Sequence, residues 1–234
     1  MNSLWSKIFS RHQFFMMLIL AGGAFQAAGQ EAKVDTSYAN EYYLNKRDLQ
    51  EAIPVHSWNI VFLGNSITER GLWSELFPAV PVLNRGIGGD NCWGVYARLD
   101  SILTGKPASI YLLIGINDLG RGLPVKLIAM KYEQIIRKIR KDSPGTRLFL
   151  QTVLPINETT IRYEYMKGKT AGILTLNDHI RELASKYDLP LLDLFSAFAD
   201  GQKQLPASLC VDGLHLNGVG YSQWKEFYLQ CGIF

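Results

Sequence analysis

From residue 58 onward, short apolar runs alternate with longer stretches whose apolar positions recur every three or four residues. The runs over 59–63, 80–84, 109–114, 147–153 and 189–194 predict five strands. Helical patterns over 72–77, 93–103, 125–140 and 171–186 fill the gaps, and another over 218–229 closes the chain. Such alternation implies right-handed crossovers and a parallel sheet covered on both faces, an α/β architecture. Upstream, Tyr38, Tyr42, Leu49 and Ile53 fall near helical spacing before Pro54, which predicts an amphipathic helix outside the sheet. No repeat or low-complexity tract marks an internal linker.

The first 29 residues have a different pattern. Lys7, Arg11 and His12 precede an apolar run over 14–21, and small residues follow at Gly22, Gly23, Ala27, Ala28 and Gly29. A run this short does not span a bilayer, and the small-x-small ending predicts a signal peptide over 1–29, cleaved to leave Gln30 first. The mature protein is therefore expected in the periplasm or outside the cell, with no stable membrane span. Residues 30–57 are expected as an N-terminal helical arm and 58–234 as the main domain.

Composition excludes some classes. The chain is 47% apolar and 19% charged, as in ordinary globular domains. Setting aside Lys7 and Arg11 from its 24 basic residues leaves 22 against 21 acidic, so bulk charge offers no basis for nucleic-acid binding. Cys92, Cys210 and Cys231 permit one disulfide at most in an exported protein, and buried thiols are the expectation. Oligomeric state has no signature in the sequence.

In a doubly wound sheet, ligands sit beyond the carboxyl ends of the strands. The first strand runs into Gly64-Asn65-Ser66-Ile67-Thr68, the second into Asn84-Arg85-Gly86-Ile87-Gly88-Gly89-Asp90, and the third into Gly115-Ile116-Asn117-Asp118. After the fifth comes Asp212-Gly213-Leu214-His215. A lone serine after a strand is commonly a helix cap, and a glycine-rich turn is commonly only a turn. Together these segments supply a nucleophile, a base, a carboxylate to orient it and donors for an oxyanion, the parts of an acyl-transfer site.

In these four ordered motifs, from residue 58 to the C-terminus, the chain resembles the SGNH or GDSL-type hydrolases, and its longer glycine and histidine motifs resemble the acetylhydrolase-like branch. The resemblance implies a flavodoxin-like three-layer α/β/α sandwich with a five-stranded parallel sheet. It also implies Ser66 as nucleophile, His215 as base and Asp212 as its orienting carboxylate, with the Ser66 and Gly89 backbone N–H groups and the Asn117 amide as oxyanion hole. Ser66 is expected just before the first helix, whose dipole would favour an alkoxide. Asn65 stands where the family's first motif has Asp.

The implied activity is that of an exported serine esterase. It would remove a short acyl group, acetyl foremost, from a small-molecule or glycan ester such as sialic acid or a polysaccharide, through an acyl-enzyme and without cofactor or metal. The alternatives are a lysophospholipase- or thioesterase-type acylhydrolase and a non-catalytic carbohydrate-binding relative. A nucleotide- or flavin-binding protein leaves Asn117, Asp212 and His215 without a use, and no G-x-S-x-G elbow points to an α/β-hydrolase. His56 and His179 offer no rival base. Segment 155–170, with Arg162, Tyr163 and Tyr165 among its charges and rings, is the expected specificity loop. Trp93 is the expected wall of the acyl pocket.

Overall fold

The computed structural model describes residues 34–234, so the expected signal peptide lies outside the described residues. Five parallel strands, β1 (Ile60–Gly64), β2 (Val82–Gly86), β3 (Ser109–Leu113), β4 (Arg147–Gln151) and β5 (Leu191–Leu192), stand in the order β2-β1-β3-β4-β5. Ten α-helices surround them among the described residues: α1 (Glu41–Glu51), α2 (Ser66–Glu69), α3 (Trp73–Leu76), α4 (Cys92–Ala97), α5 (Leu99–Leu103), α6 (Ile116–Gly120), α7 (Val125–Asp142), α8 (Thr170–Tyr187), α9 (Leu194–Phe198) and α10 (Gly218–Gln230).

The layers follow from the strand order. The β2→β3, β3→β4 and β4→β5 connections all step the same way across the sheet, and a right-handed crossover then puts α4, α5, α7 and α8 on one face. The β1→β2 step runs the other way and puts α2 and α3 on the opposite face, where α10 joins them: Trp73 and Trp224 meet with ring centroids 5.0 Å apart. Phe62, Tyr111 and Phe149 are aligned by the parallel register on this second face, with Tyr111 stacked on Phe149 at 4.4 Å, and Tyr228 of α10 packs on Phe62. The intervening Val61, Leu63, Ile110, Leu112, Leu148 and Leu150 are buried on the first face. Strand order reverses between β1 and β3, so their carboxyl ends open the crevice at which this topology binds ligands.

Several boundaries differ from the sequence expectation for physical reasons. The helix expected over 93–103 breaks into α4 and α5 at Arg98, whose guanidinium turns inward to the Gly64 and Arg85 carbonyls. The strand expected over 80–84 starts later and runs on to Gly86, because Asn84 and Arg85 continue the ladder with β1. In α1, Tyr42 and Leu49 face solvent, as does Ile53 just beyond its end, while Tyr43 is buried with its hydroxyl on the Gly94 carbonyl at 2.8 Å. Of the three thiols, all free, Cys92 alone is buried and Cys231 is exposed, which corrects the expectation of three buried cysteines.

Candidate active site

Ser66 is the first residue of α2, directly after β1 and the capping residue Asn65. Asn65 Oδ1 accepts the Ile67 N–H at 3.0 Å, so a neutral amide performs the cap and a carboxylate is not needed there. At four residues, α2 is a single turn and carries little macrodipole, which corrects the expected role of a helix dipole. It is held instead by side chains from other elements. Trp73 Nε1 donates to the Thr68 carbonyl at 2.7 Å, Tyr221 Oη to Ile67 at 2.7 Å, and Asn84 Nδ2 to Glu69 at 2.9 Å.

Ser66 Oγ lies 2.9 Å from His215 Nε2, and His215 Nδ1 lies 2.8 Å from Asp212 Oδ2. With Nδ1–H given to Asp212, Nε2 is the acceptor left facing the serine hydroxyl. The turn joining Asp212 to His215 passes through Gly213 at φ +82°, and a β-carbon there would stand 2.6 Å from the Ile161 backbone. Asp212 Oδ1 accepts the Leu214 and His215 backbone N–H groups at 3.1 and 2.8 Å, locking the turn that aims the imidazole. Burial pushes the Asp212 carboxyl up, but the His215 backbone and ring donors and the Leu214 N–H outweigh it and hold the group below its ordinary value. Burial of His215 lowers its pKa against the pull of Asp212, leaving a neutral imidazole able to take a proton.

The second expected motif forms a loop against α2, its Gly88 N–H on the Glu69 carboxylate. Gly89 adopts φ +76°, open to glycine without strain, and borders a hollow of about 320 Å³ with Asn117, Gly120, Arg121 and Tyr165. Asn117 Nδ2 donates to the Asp90 carbonyl at 2.8 Å, which ties its amide to the residue after Gly89 and leaves a second hydrogen for another acceptor. The Ser66 and Gly89 N–H groups donate to no protein acceptor among the described residues.

The sequence profile of the GDSL-like lipase/acylhydrolase family matches residues 62–223. The chain belongs to that family. It is a carboxylic ester hydrolase. A Streptococcus pneumonia structure named as a candidate platelet activating factor is 30% identical, with a TM-score of 0.74, and the match covers 82% of this chain and 91% of that one. The rat platelet-activating factor acetylhydrolase IB subunit alpha2 is 24% identical over 206 residues, 86% of this chain and 85% of the relative. An acetylxylan esterase of Geobacillus stearothermophilus shares the fold, with a TM-score of 0.58 at 21% identity over 75% of this chain and 94% of that one.

Around the acylhydrolase site lie contacts that the motifs did not disclose. Asp90, fully buried, pairs with the buried Arg98 at 2.8 Å, and Arg98 also donates to Arg85 and Gly64 carbonyls, tying the ends of β1 and β2 to the oxyanion-side loop. Burial pushes the Asp90 carboxyl up to about 6 against the attraction of Arg98. Glu69 Oε2 accepts the Gly88 N–H at 2.7 Å, while its Oε1 takes Tyr42 Oη at 2.7 Å and Lys46 Nζ at 2.8 Å from α1. The arm is thus bound to the loop rather than merely packed outside the sheet. Asn91 Nδ2 adds a tether to the Ser37 carbonyl at 3.0 Å.

The expected substrate-binding residues are redistributed. Trp93 does not border the hollow beside Gly89 and Asn117; its ring packs near Lys131 of α7. Arg162 gives its backbone N–H to the Asp212 carbonyl at 3.1 Å, and its exposed side chain does not line the hollow. Tyr163 Oη donates to Asp212 Oδ2 at 3.0 Å, and its ring stands edge-on to His215, so it supports the triad carboxylate. Much of the expected specificity loop is consumed by its own folding: Asn157 caps Thr159 and Thr160, and Glu158 accepts from Gly168 and Thr170. Tyr165 is the residue of that segment that lines the hollow. Among the described residues, no group of three or more His, Cys, Asp or Glu side chains is placed to hold a metal ion, and no helix is long and apolar enough to cross a membrane.

Proposed function

We propose that the protein hydrolyses short-chain esters, acetyl foremost, carried on carbohydrate, through an acyl-enzyme on Ser66. The observation that carries this reading is the chain of contacts from Ser66 Oγ through His215 to Asp212, taken with the hollow that Gly89 and Asn117 border. Ser66 Oγ attacks the ester carbonyl carbon as its proton passes to His215 Nε2. The carbonyl oxygen, now an oxyanion, accepts the Ser66 and Gly89 N–H groups and the second Asn117 amide hydrogen. The tetrahedral intermediate collapses, the bond to the alkoxide breaks, and the imidazolium returns the proton to the departing alcohol. Water then repeats the sequence on the acyl-serine and releases the carboxylic acid. Asp212 remains ionised throughout and stabilises the imidazolium.

The names of the acetylhydrolase and acetylxylan esterase relatives support the acetyl group, and the polar and aromatic edge at Asn117, Arg121 and Tyr165 supports a sugar. A second reading, a longer acyl chain, is favoured by one observation. A largely apolar hollow of about 350 Å³ lies between Arg70, Leu72, Leu76, Tyr221 and Leu216, the residue after His215. Nitrophenyl esters from two to twelve carbons, run beside acetate release from acetylated xylan, pectin and sialic acid, test the choice. Faster turnover of acetate than octanoate upholds the first reading, and the reverse order upholds the second. Export belongs to the same proposal, with N-terminal sequencing of secreted protein expected to begin at Gln30.

A further inference from the structure

Two hollows, an inner half beside Gly89 and Asn117 and an outer half against the N-terminal arm, share one lining side chain. The outer half, about 470 Å³, is bounded by residues 37–40 of the arm and by Arg121, which also borders the inner hollow. Arg121 is the only charged residue lining either half among the described residues. It stands one helical turn after Asn117, its N–H on the Asn117 carbonyl at 3.0 Å. Residues so spaced have β-carbons about 5–6 Å apart, close to the width of a sugar ring.

The guanidinium is only partly engaged. Nη1 lies 3.3 Å from Asp35 Oδ2 and 3.1 Å from Ser37 Oγ, and the Asp35 side chain is 59% exposed. Nε and Nη2 meet no protein acceptor among the described residues. A guanidinium presents paired donors matched to the two oxygens of a carboxylate, and an exposed ion pair such as Asp35–Arg121 is readily exchanged for such a partner. Tyr165, also more than half exposed, offers an aromatic wall on the inner side.

We infer that Arg121 binds a carboxylate on the sugar that bears the scissile ester, so that the substrate is an acylated acidic sugar, a uronic or sialic acid; this rests on the esterase reading of the site. A neutral sugar leaves the guanidinium charge with Asp35 and Ser37 and offers its free N–H groups only hydroxyl acceptors, without the charge pairing a carboxylate supplies.

The test measures acetate release from the methyl glycoside of an O-acetylgalacturonic acid and from the matching uronamide, in which a neutral amide replaces the carboxylate. An O-acetylglycerol phosphate serves as the alternative anion, and nitrophenyl acetate reports the ester chemistry itself. The expected kcat/KM for the acid exceeds that for the amide by about tenfold or more, chiefly through KM. In Arg121→Gln that ratio falls toward one, and Arg121→Lys, which keeps the charge but not the fork, retains part of it. Because both rates come from one protein, poor folding of a variant lowers them together and leaves the ratio readable. Equal values for acid and amide in the unaltered protein, with nitrophenyl acetate still hydrolysed, overturn the inference, and so does a preference for the phosphate. Failure to hydrolyse nitrophenyl acetate at all strikes instead at the esterase reading.

Discussion

Glu69 and Gly88 join the two halves of the active site: the Glu69 carboxylate, on the helix that begins with Ser66, accepts the Gly88 N–H at 2.7 Å, one residue before Gly89. That contact ties the Ser66 helix directly to the Gly89 loop, beside the indirect links that Arg98 and Asn84 supply. Glu69→Ala is expected to lower kcat by about ten- to a hundredfold with little change in KM, since displaced donors act on the transition state more than on bound ester. Glu69→Gln, which keeps an acceptor, should restore most of the rate. Equal losses in both variants, or a loss confined to KM, would rule out this positioning role.

Ser66→Ala and His215→Ala should each reduce ester turnover by ~10⁴-fold or more, and the double variant should lose little beyond either single one, because the pair acts as a unit. Their 2.9 Å contact motivates the expectation. Near-normal turnover in His215→Ala would remove the base from the mechanism.

Asn117→Ala should lower kcat by ~10²- to 10³-fold while leaving KM nearly unchanged, the pattern of a donor that acts on the developing oxyanion. The same amide ties the Asp90 carbonyl at 2.8 Å, so thermal unfolding is followed in parallel. A fall in Tm with kcat intact would assign Asn117 to the fold alone.

Turnover should rise with pH as His215 loses its proton, with a midpoint below the ordinary histidine value because burial disfavours the imidazolium. Tyr163 Oη, donating to Asp212 Oδ2, draws charge away from the oxygen that faces His215 Nδ1. Tyr163→Phe releases that charge to the imidazolium, so the acid limb of the kcat/KM profile is expected to move to higher pH. A limb that stays in place or moves lower would contradict the assignment.

Arg98→Ala should destabilise the chain by roughly 3–5 kcal/mol, the cost of leaving a buried carboxylate without its partner. Arg98 and Asp90 are both buried, and the guanidinium also satisfies the Gly64 and Arg85 carbonyls. Chemical denaturation supplies the measurement. A change under about 0.5 kcal/mol, as at an ordinary surface position, would show that the pair does not hold the strand ends together.

The amphipathic patterns over 125–140, 171–186 and 218–229 reappear within two residues at either end as α7, α8 and α10, because each long helix buries one face and its apolar period records that face. The motif residues after four of the five strands were likewise legible, since a parallel sheet brings its carboxyl ends to one edge whatever their separation in sequence. Ser66 and His215 meet across 149 positions for that reason. Only the tertiary structure decided which neighbours the remaining polar groups chose. Glu69 reaches Gly88 and Tyr163 reaches Asp212, Arg98 turns inward and breaks a helix, and Tyr165 rather than Arg162 lines the hollow. Periodicity reports which way a side chain faces along its own element, whereas these contacts depend on where loops from distant elements cross, and a local pattern of apolar and polar residues carries no record of that crossing.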